Sequence, residues 1–222
     1  FIRGYYYYAS VRLSGGVPIV TEPLDDKYDG KENEGLYVPR STEKESWDFV
    51  LSEFDNAAKY LPEVRATGRY RATKWSALGM KSRAALNAAS VSKYWNQAPI
   101  ADSYKAVSKK LAYMEAGYAT EYYKQCIEAC EAIINSGKFA LYGAKPNSVS
   151  EAVNNLTTLF QDRQDCEWIF GKTYKTGSST ASNGFDLKSS PNQVHGSSGS
   201  VWMFGQHGVT LDFVDACDNY DE

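Results

Sequence analysis

The stretch TEKESWDFVLSEFDNAAKYLP, residues 42–62, decides the fold class that we predict for this chain. Thr42 followed three residues later by Glu45 forms a capping box, and Pro62 stops a helix. The apolar residues between them recur at the i, i+3, i+4, i+7 spacing of one helix face. They are Trp47, Val50, Leu51, Phe54, Ala57, Ala58 and Leu61. We therefore predict an α-helix from Thr42 to Leu61 that buries this face.

Two later segments have the same periodicity. Thr73 to Ser90 places small residues on one face, which would let a neighbouring helix approach closely. They are Gly79, Ser82, Ala85 and Ala89, on the same predicted face as Trp75, Leu78 and Leu86. Glu121 to Ser136 is followed by Gly137, which suits a left-handed cap. The residues predicted to face inward there are Tyr123, Cys126, Ile127, Cys130, Ile133 and Ile134.

The first segment, Phe1 to Leu13, carries two signals. Its run of tyrosines favours a strand by propensity, but its other apolar positions repeat at helical spacing, and we predict a helix. Those positions are Ile2, Tyr5, Tyr6, Ala9 and Leu13.

The connections are rich in turn-forming residues. We predict an extended piece at Val17 to Val20, a short helix around Tyr104 to Met114 and an extended run at Glu167 to Phe170. From Gly171 to Gly208 the chain is rich in Gly and Ser, yet aromatic residues interrupt it, which favours a functional loop over a linker. We accordingly divide the chain into a helical part, residues 1–141, and a loop-rich part, residues 142–222, that would carry a ligand face.

Composition and charge exclude several function classes. A net charge of −3 with no run of Lys or Arg argues against a nucleic-acid partner. No stretch approaches the roughly 18 apolar residues that span a bilayer, so membrane association would come from outside this chain. The chain opens at Phe1 with neither Met nor a signal pattern, and we expect it to be an internal fragment.

No catalytic, metal or cofactor site is predicted. Of the four cysteines, Cys126 and Cys130 lie four apart on a predicted helix, where their directions do not favour a bridge, and we expect all four to be buried apolar residues. His195 and His207 have no adjoining nucleophile. Acidic residues recur every third position near the end without the alternation of an EF-hand, and we interpret them as a solvated face. They are Asp212, Asp215, Asp218 and Asp221.

Seven motifs in order resemble the SusD/RagB family of nutrient-binding proteins. They are SGGVPIVTEP (14–23), VPRST (38–42), WDFVLSEFDNAAKYLP (47–62), GRYRATKWSALGMKSRAAL (68–86), YYKQCIEACEAIINSGKFAL (122–141), LFQDRQDCEWIFGKTY (159–174) and LDFVDACDNYDE (211–222). The resemblance implies a mainly α fold, a tetratricopeptide-like stack of helical hairpins with long loops and a few short strands. The two hairpins would pair Phe1–Leu13 with Thr42–Leu61, and Thr73–Ser90 with Glu121–Ser136.

The same resemblance implies a function in nutrient uptake and polysaccharide utilisation. It is the non-catalytic capture of glycans by a surface-exposed outer-membrane lipoprotein, whose lipid anchor lies outside this chain, and their delivery to a SusC-like TonB-dependent transporter. A peptide or glycoprotein could replace the glycan as nutrient. The alternatives are a helical-repeat scaffold that binds a protein or peptide, and a glycoside hydrolase, which would need a pair of carboxylates that we do not find.

Sugar rings require aromatic platforms beside hydroxyl-binding groups, and the Gly/Ser-rich segment supplies both. The candidate platforms are Tyr174, Trp202 and Phe204, and the candidate hydroxyl partners are Asn183, Asn192, Gln193 and His207. Trp202 and Phe204 could instead anchor the loop. Trp95 with Asn96 forms a second candidate site. Trp47, Trp75 and Trp168 are predicted to lie in the core.

Overall fold

The computed structural model describes residues 1–24, 36–66, 70–97, 104–161 and 166–171. Within these ranges the chain is mainly helical, as predicted. The α-helices are α1 (Ile2–Ser14), α2 (Glu43–Tyr60), α3 (Lys74–Tyr94), α4 (Lys105–Ser108), α5 (Ala119–Ile134) and α6 (Val149–Gln161). Two 3₁₀ turns, Trp95–Gln97 and Ala116–Tyr118, follow α3 and precede α5.

Helix α2 begins where its sequence predicts. The Thr42 hydroxyl accepts a hydrogen bond from the Glu45 backbone N–H at 3.2 Å, and the Glu45 carboxylate accepts one from the Thr42 N–H at 2.8 Å. This reciprocal capping satisfies two N–H groups that a helix start otherwise leaves unpaired. Leu61, in extended conformation, ends the helix before Pro62. The predicted face is buried over Trp47, Val50, Leu51, Phe54 and Ala57.

The helices pair as predicted. α1 packs on α2, and α3 packs on both α2 and α5, so that the four lie side by side in the order α1, α2, α3, α5. Polar side chains also link the helices at three points. Arg3 on α1 binds Glu53 on α2, Asn87 on α3 donates to Tyr8 on α1 at 2.6 Å, and Tyr122 on α5 donates to Asp48 on α2 at 2.7 Å. Both predicted hairpins are thereby confirmed.

The neighbouring helices approach α3 closely at its alanines. Five of them are fully buried, namely Ala77, Ala84, Ala85, Ala88 and Ala89. Gly79, which we predicted on the same face, has open space around it, since an added Cβ would meet no atom within 4 Å. The predicted face is therefore right for Trp75, Ala85 and Ala89. It is wrong for Leu86, which is exposed, and for the close approach at Gly79.

Helix α1 buries a different face from the predicted one. Gly4, Tyr8 and Val11 face the core, whereas Ile2, Tyr6 and Leu13 are exposed. The reason is the crossing with α2, where a Cβ on Gly4 would already lie 3.2 Å from the Phe54 ring and 3.1 Å from Glu53. A larger residue there would push these side chains back by a few tenths of an ångström, so glycine allows the close approach that places the residues one and two turns further along against α2.

Helix α5 also turns partly away from the predicted orientation. Its buried residues are Ala119, Tyr122, Ala129 and Ile133. Of the predicted inward set, Cys126, Cys130 and Tyr123 are half-buried, and Ile127 and Ile134 are exposed. Gly137 has φ of 64°, which confirms the predicted left-handed conformation after the helix.

The predicted extended pieces belong to no β-strand within the described ranges. In the piece at residues 17–20, side chains take the place of a partner strand. The Ser46 hydroxyl accepts from the Val17 N–H at 3.0 Å, and the Tyr7 hydroxyl accepts from the Val20 N–H at 2.7 Å. The predicted helix at residues 104–114 shortens to α4 because Lys110 adopts φ of 54° and directs the chain away from the helix axis.

Helix α6 was not predicted. It lies in the segment that we assigned to the loop-rich part, and its start follows a recognisable signal, since the Ser148 hydroxyl accepts from the Glu151 N–H at 3.1 Å. Its apolar residues Val149, Val153 and Leu156 are exposed. Phe1–Gly171 form one compact unit. The division at residue 141 remains a prediction.

Candidate functional site

The principal predicted site lies outside the described residues. This holds for all its members, Tyr174, Asn183, Asn192, Gln193, Trp202, Phe204 and His207. They remain predictions, as does the acidic face near the end of the chain.

The second predicted site lies at the end of α3. Trp95 opens the 3₁₀ turn that continues this helix, and its half-buried indole packs edge-on against the Tyr113 ring, with centroids 5.7 Å apart and planes at 78°. Asn96 and Gln97 follow it and are exposed. We name these four residues, Trp95, Asn96, Gln97 and Tyr113, the Trp95 patch. An aromatic pair in this geometry fixes the indole more firmly than burial alone would.

An ion pair supports the patch from the connection before α5. The Lys110 ammonium lies 5.8 Å from the centre of the Tyr113 ring and 3.1 Å from the Glu115 carboxylate. The hydrogen bond to Lys110 lowers the pKa of Glu115, and the same contact raises the pKa of Lys110. The Ser92 hydroxyl donates to the Glu115 carbonyl and ties this connection to α3. Tyr113 is thus held in place from two sides.

A buried carboxyl group lies behind Tyr113. Glu43, the first residue of α2, is only 6% exposed. Burial raises the pKa of Glu43, while the Trp47 indole N–H and the Tyr113 backbone N–H partly offset that effect. The Trp47 N–H does not reach hydrogen-bonding geometry, so the compensation is incomplete. Glu43 is therefore a cost to stability whenever it is ionised.

We expect Glu43→Gln to stabilise the protein at pH 7. The folded-state pKa of Glu43 is raised, so its penalty is absent below the unfolded-state pKa and grows as the pH rises through that value. Glu45→Gln is the control with the opposite sign, since its capping contacts lower its pKa and contribute stability above the unfolded-state pKa. Urea midpoints of both variants against the parent at pH 4 and pH 7 measure the effect. A Glu43→Gln difference that does not change with pH would contradict it.

The chemistry of the Trp95 patch suits a sugar ring. The exposed part of the indole can cover the C–H face of a pyranose, and two amides beside it can donate to and accept from hydroxyls. Covering about 100 Å² of sugar face contributes only about 2.5 kcal/mol, so one such contact binds weakly. Within the described ranges, no three His, Cys, Asp or Glu side chains come together to hold a metal ion.

Two of the three tryptophans that we predicted in the core are buried there. Trp47 and Trp75 are buried, whereas Trp168 is half-buried and packs edge-on against Tyr70 at 5.1 Å. Lys74 and Lys138 lie against the Trp75 ring, and Glu63 bridges both ammonium groups at 3.2 Å. This cluster joins the segment after α5 to the start of α3.

Sequence reasoning missed an exposed aromatic pair on α1. Tyr5 and Tyr6 stand 6.0 Å apart with their rings nearly perpendicular, and both are exposed. They were not considered as surface residues because their helical spacing predicted that they lie on the buried face. The signal that could have found them is Gly4, since a small residue marks the closest point of a helix crossing.

Comparison with known proteins finds similarity in sequence over the first part of the chain and similarity in fold over most of it. Residues 1–86 match the SusD-like family described as starch-binding and associating with the outer membrane. The crystal structure of a SusD-like protein from Bacteroides fragilis NCTC 9343 superposes with a TM-score of 0.53. The matched part, residues 1–86 of 222, is therefore similar to the SusD-like family. The B. fragilis protein is 21% identical, and its match, which covers 81% of this chain and 27% of that one, indicates a shared fold.

A second solved structure, named BT4246, matches this chain with a TM-score of 0.45 and 26% identity, over 63% of this chain and 24% of that one. The chain therefore spans about a quarter of the length of these two proteins. No curated protein matches the sequence. No helix in the described ranges combines the length and apolarity that a membrane crossing requires.

Proposed function

We propose that this chain is part of a protein that captures glycans at the outer-membrane surface without cleaving them and delivers them to a SusC-like TonB-dependent transporter. The observation that carries the proposal is the match of residues 1–86 to a family described as starch-binding and associating with the outer membrane. The surface attachment in this proposal is a lipid anchor outside the chain.

The packing of the helices supports a binding role. α2 and α3 bury apolar faces on both sides of their contact, and hydrogen bonds tie α1 to α3 and α5 to α2. A rigid framework of this kind can hold aromatic residues of its connections in fixed positions. The Trp95 patch is such a position. A single-ring contact of about 2.5 kcal/mol corresponds to a dissociation constant of about 15 mM, and several such contacts together raise the avidity for a polymer.

Calorimetry of the full-length protein against a panel of polysaccharides tests the binding. We expect heat with at least one glycan and no release of reducing ends during prolonged incubation. Co-purification of a TonB-dependent transporter from outer membranes tests the delivery step. Absence of heat with every glycan, together with normal growth of a deletion strain on all of them, would defeat the proposal.

Trp202→Ala is expected to weaken glycan binding about tenfold, because losing a stacking platform removes part of the roughly 2.5 kcal/mol that a covered sugar face contributes. Trp95→Ala tests the Trp95 patch in the same way. Tyr60→Ala is the matched control, since Tyr60 is an exposed aromatic at the end of α2, away from both candidate sites in the sequence. Equal affinity of the parent and both tryptophan variants would remove both sites from consideration.

A scaffold that binds a protein or peptide is the second candidate. The exposed apolar positions of α6, which are Val149, Val153 and Leu156, favour it, because an apolar helix face is a common docking surface. A pull-down that recovers a peptide-bearing partner and no transporter would support this alternative. Loss of glycan binding in Trp202→Ala would argue against it.

A further inference from the structure

Helix α5 carries two free thiols one turn apart. Cys126 and Cys130 are both half-buried and neither forms a disulfide. Residues four apart on an α-helix lie on the same side, with Cβ atoms about 5–6 Å from each other. Both sulfur atoms therefore face the same side of α5, and Cys126 packs against the core formed with α2 and α3.

This spacing disfavours a direct disulfide and favours a bridging atom. A disulfide needs Cβ atoms about 3.5–4.5 Å apart because a single S–S bond of about 2.05 Å joins the two sulfurs. An atom bound to both sulfurs replaces that bond by two bonds of about 2.3 Å, the length of a typical metal–thiolate bond. A bridging atom can thus bond to both sulfurs at the distance that the helix sets, without distorting α5.

The environment of Cys126 and Cys130 favours an adduct that leaves no net charge on the two sulfur atoms. Burial raises the pKa of the Cys126 thiol, and the neighbouring Cys130 raises it further, so Cys126 is held as a thiol. A complex that leaves a net charge on the two sulfurs would be costly beside the core. Tetrahedral zinc needs about four ligands, and no third metal-binding side chain joins the pair within the described ranges.

We propose that Cys126 and Cys130 form a dithiol site for thiophilic species that make neutral bis-thiolate adducts, of which trivalent arsenicals are the representative class. The reaction with an arsine oxide is R–As=O + 2 Cys–SH → R–As(S–Cys)₂ + H₂O. Two As–S bonds form, the oxygen leaves as water with both thiol protons, and no atom changes oxidation state. This site is independent of glycan binding, and it makes the protein a target for such compounds.

Titration of the full-length protein with phenylarsine oxide tests the site. We expect one phenylarsenic group per site by intact mass and the loss of two titratable thiols. Peptide mapping after alkylation should show Cys126 and Cys130 protected in the parent protein, a readout that needs no variant. Cys126→Ser and Cys130→Ser should each weaken uptake about 100-fold or more, since the second thiol acts at high effective concentration.

Cys166→Ser is the matched control, because Cys166 is also a half-buried free thiol, and it lies outside α5. Its uptake should equal that of the parent. Protection of Cys166 or Cys217 in place of the α5 pair, or unchanged uptake in the variant lacking both α5 thiols, would overturn the proposal.

Discussion

Gly16→Ala is expected to lower the free energy of unfolding by about 3 kcal/mol or more, because overpacking against backbone leaves nothing that can move aside. A Cβ at this position would overlap the Ser41 carbonyl oxygen and lie 2.8 Å from the carbonyl carbon of Thr42. The Gly16 N–H also donates to the Leu111 carbonyl at 2.6 Å, and its carbonyl accepts from Arg40 at 2.7 Å. The backbone is therefore fixed on both sides of the clash.

Urea unfolding followed by circular dichroism measures this effect. Gly117→Ala is the control, since a Cβ at Gly117 would meet no atom within 4 Å, and its midpoint should stay close to that of the parent. A Gly16→Ala midpoint that equals the control would show that the loop at residues 15–16 does not pack against the start of α2.

Phe54→Ala is expected to cost about 3–5 kcal/mol, the usual range for removing a buried aromatic side chain. The Phe54 side chain has no exposed surface. It contacts the α1 backbone at Gly4 and lies edge-on to Phe1 with ring centroids 6.0 Å apart. Because Gly4 brings the two helix backbones close together, they cannot move closer to fill the cavity.

Tyr60→Ala on the same helix separates this loss from a general effect of removing an aromatic side chain. Tyr60 is 76% exposed, and its removal should change the free energy of unfolding by less than about 0.5 kcal/mol. Thermal and urea denaturation of both variants provide the comparison. A Phe54→Ala variant as stable as Tyr60→Ala would mean that α1 is not packed on α2 as described.

The helices could be predicted from sequence where both ends carry a chemical signal. α2 has Thr42 and Glu45 at its start and Pro62 beyond its end, and the structure confirms it closely. The orientation of α1 could not be predicted in the same way. Ile2, Tyr6 and Leu13 are as apolar as the residues that are buried, so spacing alone does not distinguish the two faces. The crossing at Gly4 decides between them, and that is a property of two helices together.

For the candidate site, the sequence could predict which types of residue take part but not which of them lie together in space. Trp95 and Asn96 could be proposed from composition, but Tyr113, 18 positions further along, joins them because the connection before α5 folds back on α3. Lys110 adopts a positive φ and turns the chain back toward α3. Non-glycine residues rarely adopt this conformation, so it could not be predicted from the sequence. α6 was missed because its neighbours are rich in turn-forming residues, although Ser148 and Glu151 mark its start.

The hydroxyls of Ser46 and Tyr7 have a consequence for solubility. The segment at residues 17–20 is extended and apolar, which is the composition of an aggregation-prone edge. Its N–H groups at Val17 and Val20 are already occupied by those two hydroxyls, and Pro18 has none to offer. An incoming chain would have to displace the Ser46 and Tyr7 side chains to reach these two N–H groups, which disfavours the addition of a strand there.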